Sequence, residues 1–316
     1  MKLTRVLKIS IPCLALTLLA AAIIIFPERY VSCCFRGFAM WAECVLPSLF
    51  PFMVITLIMI KSGFAHKAAL PLKKVTGAFG LPPAAAVCLL ISVCSGYPAG
   101  SKSVAEFYES GCLTANDCKK LSALCSTSGP LFIIGSVGVK MFGDKTAGWK
   151  IMAAHVLSVL VVGLLISLFS KKGRKSDYRR APVDNNVLYN SFYGAVISVA
   201  VAGGFIAFFC VAAQIAADFN LLLPLEKLLC LVTDPASASA FCTGVIEITA
   251  GCRALGEAGG KLMLPLAGFL ITFGGVSIVM QQLAYLTKAK VNAAYFTGVK
   301  LLQATVCLLA LLPFCQ

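Results

Sequence analysis

The chain of 316 residues is 59% hydrophobic and 13% charged, whereas soluble domains run roughly half apolar and about a quarter charged. That composition excludes an ordinary soluble enzyme or binding module and defines a polytopic membrane protein. The 27 basic and 13 acidic residues give a formal charge of +14, but the basic ones gather between apolar runs, the pattern of cytoplasmic loops rather than of a nucleic-acid partner.

From the N-terminus, MKLTRVLK and the apolar stretch behind it read as a membrane anchor over residues 1–30, in preference to a signal peptide, since no A-x-A-like cleavage region follows. Runs long enough to cross ~30 Å of hydrocarbon occur at 7–26, 37–60, 147–170, 189–217, 261–286 and 293–315. Two further stretches are interrupted. Residues 82–110 break at SGYPAG, and residues 118–142 break at STSGP, 126–130; such breaks persist only where protein or a water-filled cavity takes up the freed backbone groups. The charged segment 65–82 is read as an interface element or loop. The stretch KKGRKSDYRRAPVDNN, 171–186, carries Lys171, Lys172, Arg174, Lys175, Arg179 and Arg180 and reads as a cytoplasmic linker. The expected fold is all-α, with about eight membrane-embedded helical segments.

The linker, taken as 171–188, divides the chain into halves at 37–170 and 189–316, and these align as a repeat. ISVCSGYPAGSKSV, 91–104, falls without gaps on CTGVIEITAGCRAL, 242–255, matching Ala99 to Ala250, Gly100 to Gly251 and Lys102 to Arg253. Upstream, Gly37 and Pro47 fall opposite Gly194 and Gly204; downstream, Gly129 and Pro130 fall opposite Gly274 and Gly275. Lys2, Arg5 and Lys8 put the N-terminus in the cytoplasm with the linker, so after the first span the first half crosses an odd number of times and one segment is re-entrant. AECVLPSLFPFMV, 42–54, with Pro47 and Pro51, is the expected hairpin. Odd crossings make the repeats inverted, as in many secondary transporters.

The chemistry is expected at the breaks. Gly96, Pro98 and Gly100 interrupt the first helix, so that the helix restarting near Ala99 turns its amino end and dipole toward the membrane interior beside Ser95, Tyr97, Ser101, Ser103 and Lys102. In the second half Glu247, Thr249 and Arg253 surround Gly251. Arg253 can clamp an anion in bidentate fashion where Lys102 is a point charge, and Glu247 can neutralise either or carry a proton. Ser126, Thr127 and Ser128 flank Gly129 and Pro130, while Ser277, Gln281 and Gln282 follow Gly274 and Gly275. The expected ligand is a small polar or anionic solute. The bland alternatives are a proline kink with an i,i+4 pair between Lys102 and Glu106, helix packing through small residues, an interfacial Glu43 and a core His155. The 15 cysteines sit largely inside apolar runs and, with two histidines and no CxxC spacing, imply no metal and no cofactor. A Ser128–His155 nucleophile pair is conceivable on paper, but no G-x-S-x-G, HExxH or P-loop accompanies it, so no enzyme is expected.

LPSLFPFMV (46–54), SGYPAGSK (95–102), SGPLFIIGSVG (128–138), GVIEITAG (244–251) and FGGVSIVMQ (273–281) resemble, in order and spacing, the sporulation integral membrane proteins of the YlbJ type. That family is grouped with the "nucleoside recognition" or Gate domain, similar to segments of concentrative nucleoside transporters and of FeoB. The resemblance implies a multi-pass protein of the bacterial cytoplasmic membrane, associated with endospore formation and built of two Gate-like repeats; it supplies no substrate. Where family members often carry asparagines before the SGP element, this chain has Cys125, Ser126 and Thr127. The alternative to solute translocation is a membrane scaffold that docks other sporulation membrane proteins or further copies of itself among the lipids.

Overall fold

A computed structural model describes residues 2–64, 67, 69–170 and 186–315, with side chains from Cys13 onward. The expected linker, 171–185, and His66 lie outside the described residues. All regular elements among the described residues are helices.

Helix α1 (Lys2–Ile25) covers the N-terminal apolar run. Helix α2 (Pro27–Lys61) is one uninterrupted element of 35 residues, which overturns the re-entrant hairpin expected at 42–54. Pro47 and Pro51 do not reverse the chain: the helix widens into a π turn over Trp41–Val45 just before Pro47, and Pro51 lies inside the regular stretch that follows. The Leu46 N–H closes onto the Trp41 carbonyl, and Pro47 then falls in the first turn of the regular stretch Leu46–Lys61, where a missing donor is tolerated. Hydroxyls take up carbonyls there: Ser48 Oγ donates to Val45 O at 2.9 Å and Ser136 Oγ to Cys44 O at 2.6 Å.

The reversals fall elsewhere. After the short α3 (Leu72–Ala78), helices α4 (Ala85–Ser95) and α5 (Ala99–Glu109) pack along one another as a helical hairpin. Gly96 at its tip has φ +69° and ψ −164°, a conformation open essentially to glycine alone. Gly100 is not part of the break, as expected from the sequence, but sits inside α5. A Cβ there would run into the Cys125 carbonyl at the first break and stand 2.6 Å from Ser92 Oγ on α4, so its bare backbone is what lets α5 close on both. Helix α6 (Ala115–Leu124) opens on a capping box, Thr114 N donating to Asp117 Oδ2 at 2.9 Å and Asp117 N to Thr114 Oγ1 at 3.2 Å. It stops before 125–130 and continues as the π helix α7 (Phe132–Met141), and α8 (Lys145–Leu168) ends the first half.

The same order follows again: a long α9 (Val187–Asp218), a short α10 (Leu223–Leu229), a hairpin of α11 (Pro235–Ile246) and α12 (Ile248–Ala258), an interrupted pair α13 (Met263–Phe273) and α14 (Gly275–Leu286), and a last helix α15 (Ala293–Leu311). Gly251, like Gly100, lies inside its helix and not at the break; it abuts the backbone of Gly244 across the hairpin. Each hairpin tip rests on the break of its own half. A Cβ on Gly96 would stand 3.0 Å from Gly129 Cα, and one on Gly275 would stand 3.3 Å from Ile246 O. Each second arm then leans on the other half: Ser101 of α5 donates to Gln282 Oε1 of α14 at 3.0 Å, and Gly256 of α12 is seated against Met141 O of α7.

Small residues bring the long helices together, as packing in lipid requires. A Cβ on Gly37 of α2 would lie 2.6 Å from Ala207 Cα on α9, and Trp41 Nε1 donates to Val199 O at 3.0 Å. Ile133, Ile151, Leu255, Leu270 and Ile271 are fully buried between the halves. Leu157, Leu160 and Leu164 of α8 and Val196 of α9 face outward, as lipid-facing side chains do. Among the described residues five helices are long and apolar enough to cross a membrane: Pro27–Lys61, Lys145–Leu168, Val187–Asp218, Met263–Leu286 and Ala293–Phe314.

Candidate functional site between two hairpin tips

Glu247 is the single residue separating α11 from α12. Its extended backbone (φ −131°, ψ 111°) ends the first arm, and its carboxylate caps the second, Oε2 accepting from Ala250 N at 2.7 Å. The side chain is fully buried, and Oε1 has no hydrogen-bond partner among the described residues. Among the described residues no basic side chain reaches it, so the expected neutralisation of Lys102 or Arg253 by Glu247 does not occur. Those two cations do not face one another either. Lys102 pairs with Glu106 at 3.9 Å and Arg253 with Glu257 at 3.2 Å, both at i,i+4 and both half exposed. The proline-kink reading thus holds for the ion pair, though the chain reverses at Pro98 rather than bending.

Between the tips lies a small cavity of about 30 Å³. Tyr97 and Pro98 of the first tip, Ser128 of the first break, Thr249 of the second tip and Gln281 of α14 line it. Both amide atoms of Gln281, Ser277 Oγ and Glu247 Oε1 are buried without a hydrogen-bond partner among the described residues, while the Tyr97 and Ser128 hydroxyls interact with one another. Buried polar atoms are satisfied in all but a few cases per hundred residues, so this concentration sets the place apart. A larger cavity of about 440 Å³ adjoins it, reached past Thr56, Lys102, Glu106 and Tyr285. Pro98 and Gln281 border both. Tyr97, Ser128, Thr249 and Gln281 therefore stand round one space, while Lys102 guards its approach and Arg253 stays apart.

The remaining expected site residues are engaged in packing. Ser95 Oγ donates to Thr56 Oγ1 at 2.8 Å, Thr127 Oγ1 donates to Ser92 O at 3.1 Å, and Ser126, like Ser101, donates to Gln282 Oε1. These bonds lock the first hairpin, the first break and α14 into one unit. His155 is held in the core, and it also shapes the break: Nε2 accepts from the backbone N–H of Ser128 at 3.2 Å, with Nδ1 3.0 Å from Thr272 Oγ1. The bond runs to the Ser128 backbone and not to its hydroxyl, so no Ser128–His155 nucleophile pair is formed. Glu43 reaches Lys140 of α7 at 3.7 Å on an exposed surface.

Two functional side chains escaped the reading of the sequence. Lys300, fully buried on α15, donates to Ser126 O at 2.7 Å, and Gln303 one turn on donates through Nε2 to Ala123 O at 2.8 Å. Together with His155 they take up the backbone groups freed where α6 stops. The signal was present: a lone lysine inside the apolar run 293–315.

These features define a polytopic α-helical membrane protein in which two helical hairpins close on two interrupted helices. The chain is 25% identical to the sporulation integral membrane protein YlbJ of Bacillus subtilis (strain 168), across 90% of its own length and 77% of that protein. The likeness runs along nearly the whole chain and bears out the resemblance to the YlbJ type. No protein-family model matches the chain, and no solved structure matches it.

Proposed function

We propose that this protein moves a small polar solute across the bacterial cytoplasmic membrane during endospore formation, by opening the space between its two hairpin tips to one face at a time. The likeness to a sporulation integral membrane protein supports the setting. The observation that carries the mechanism is the set of polar side chains from both halves round one cavity, Tyr97, Ser128, Thr249 and Gln281, with both amide atoms of Gln281 and the nearby Glu247 Oε1 buried without a partner among the described residues. Such a set is expensive to bury empty and is matched by a ligand able to donate and accept hydrogen bonds. A carboxylate with no neighbouring cation favours a neutral, hydrogen-donating solute over the anion expected from Lys102 and Arg253.

The recurrence of element order supports inverted repeats, the first hairpin entering from the cytoplasmic face and the second from the opposite one. With the N-terminus in the cytoplasm, α1 and α2 cross and return, α6–α7 and α8 do the same, and the linker lies inside. The second half, α9, α13–α14 and α15, then starts from the cytoplasm and mirrors it. Movement of the tips off Gly129 and Gly275 would enlarge the central space, which at about 30 Å³ holds roughly one water.

That small volume is also the observation that favours a second reading, a non-transporting scaffold whose breaks serve packing. Proteoliposome uptake of neutral amino acids, polyols and nucleosides separates the two. We expect at least one to enter faster than into protein-free vesicles, with the rate falling about tenfold or more in Glu247→Gln and Gln281→Ala. Entry of none, or rates unchanged by both substitutions, contradicts transport.

A further inference from the structure

Where a helix stops inside a membrane, its last carbonyls and the negative end of its dipole form a natural seat for a cation. Helix α6 stops at Leu124, and the carbonyls of Ala123 in its last turn and Ser126 just beyond it accept from side chains of α15. Lys300 reaches that point: its Nζ donates to Ser126 O at 2.7 Å, while Gln303 holds Ala123 O. The Lys300 side chain is fully buried, and Ser126 O is its hydrogen-bond partner among the described residues. No carboxylate pairs with it among the described residues; the titratable groups that face it are His155 of α8 and Cys307 of its own helix. A lysine buried in an apolar helix with no anion beside it is costly to keep charged.

We propose that the Lys300 ammonium is a resident cation of the first break, occupying the seat at the carbonyl end of α6 that would otherwise attract a sodium ion, so that the break is organised without metal. The inference deepens the transport reading by naming how the interrupted helix is held, but its test uses no solute. The probe is sodium chloride against choline chloride at equal ionic strength. The readouts are thermal unfolding of the detergent-purified protein and amide exchange of the segment 124–130.

In the wild type both readouts are expected to be the same in the two salts. Lys300→Met, which keeps the volume and removes the charge, is expected to speed exchange of 124–130 about tenfold or more in either salt. Lys300→Ala, which vacates the seat, is expected to regain protection and melting temperature in sodium but not in choline. Should Lys300→Ala not be recovered from the membrane, Lys300→Ser, which leaves room and adds an oxygen, takes its place. Protection of the wild-type break by sodium, unchanged exchange in Lys300→Met, or no sodium-specific recovery in the small variant would each overturn the proposal. A protein that passes this test yet admits no solute keeps the resident cation and loses the transport reading.

Discussion

At the residue scale the hairpin tips are decided by what fits between backbones. Gly96 combines a left-handed φ with the Gly129 backbone pressed against the face where a side chain would stand. Both constraints act on the same atom. Gly96→Ala is therefore expected to destabilise the protein by about 1–3 kcal/mol from backbone strain alone, with the clash adding to it; thermal unfolding in detergent checks this, and a melting temperature equal to wild type would contradict the packing described. Glu247 plays the matching part in the second hairpin by another route. Extended backbone is available to any residue there, and the carboxylate supplies the cap to Ala250. One oxygen does that work, which leaves the other facing the interior without a partner.

At the scale of elements, the interrupted helix α6–α7 depends on groups borrowed from its neighbours. His155 accepts the Ser128 N–H, and Lys300 and Gln303 satisfy carbonyls on the other side of the break. His155→Ala leaves that N–H buried and unpaired, for an expected loss of about 1–3 kcal/mol. Faster amide exchange confined to the region of Ser128 would accompany it, and unaltered exchange there would contradict the role. The element pattern was largely legible in the sequence: the long spans and the two breaks follow from hydropathy and proline. The hairpins were not, because SGYP and IEIT announce an interruption without saying whether the chain goes on or turns back. The seating of Gly100 on Ser92 and the Cys125 carbonyl, and of Gly251 on Gly244, decides that, and such contacts leave no local trace. Pro47 misled for the opposite reason, since the π turn before it leaves it in the first turn of a regular stretch. Of the candidate site, the residue types at the breaks were readable. The division between those spent on packing, such as Ser95 and Thr127, and those left facing the cavity, such as Tyr97 and Gln281, depends on tertiary neighbours. Lys300 stands out as a lone lysine in an apolar run, but the carbonyl it meets, Ser126 O, is set by tertiary neighbours.

For the whole molecule, the proposed transport needs two hairpins that enter from opposite faces of the membrane. Ser110, at the foot of the first hairpin, and Lys261, at the foot of the second, are both exposed, so each can carry a cysteine without disturbing the tips. In a background with the exposed Cys13 and Cys230 replaced by serine, an impermeant maleimide added to intact cells reads the face on which each foot lies. Labelling of Lys261→Cys in intact cells, with Ser110→Cys labelled only after the membrane is opened, is the result this account predicts. Labelling of both from the same face would contradict it.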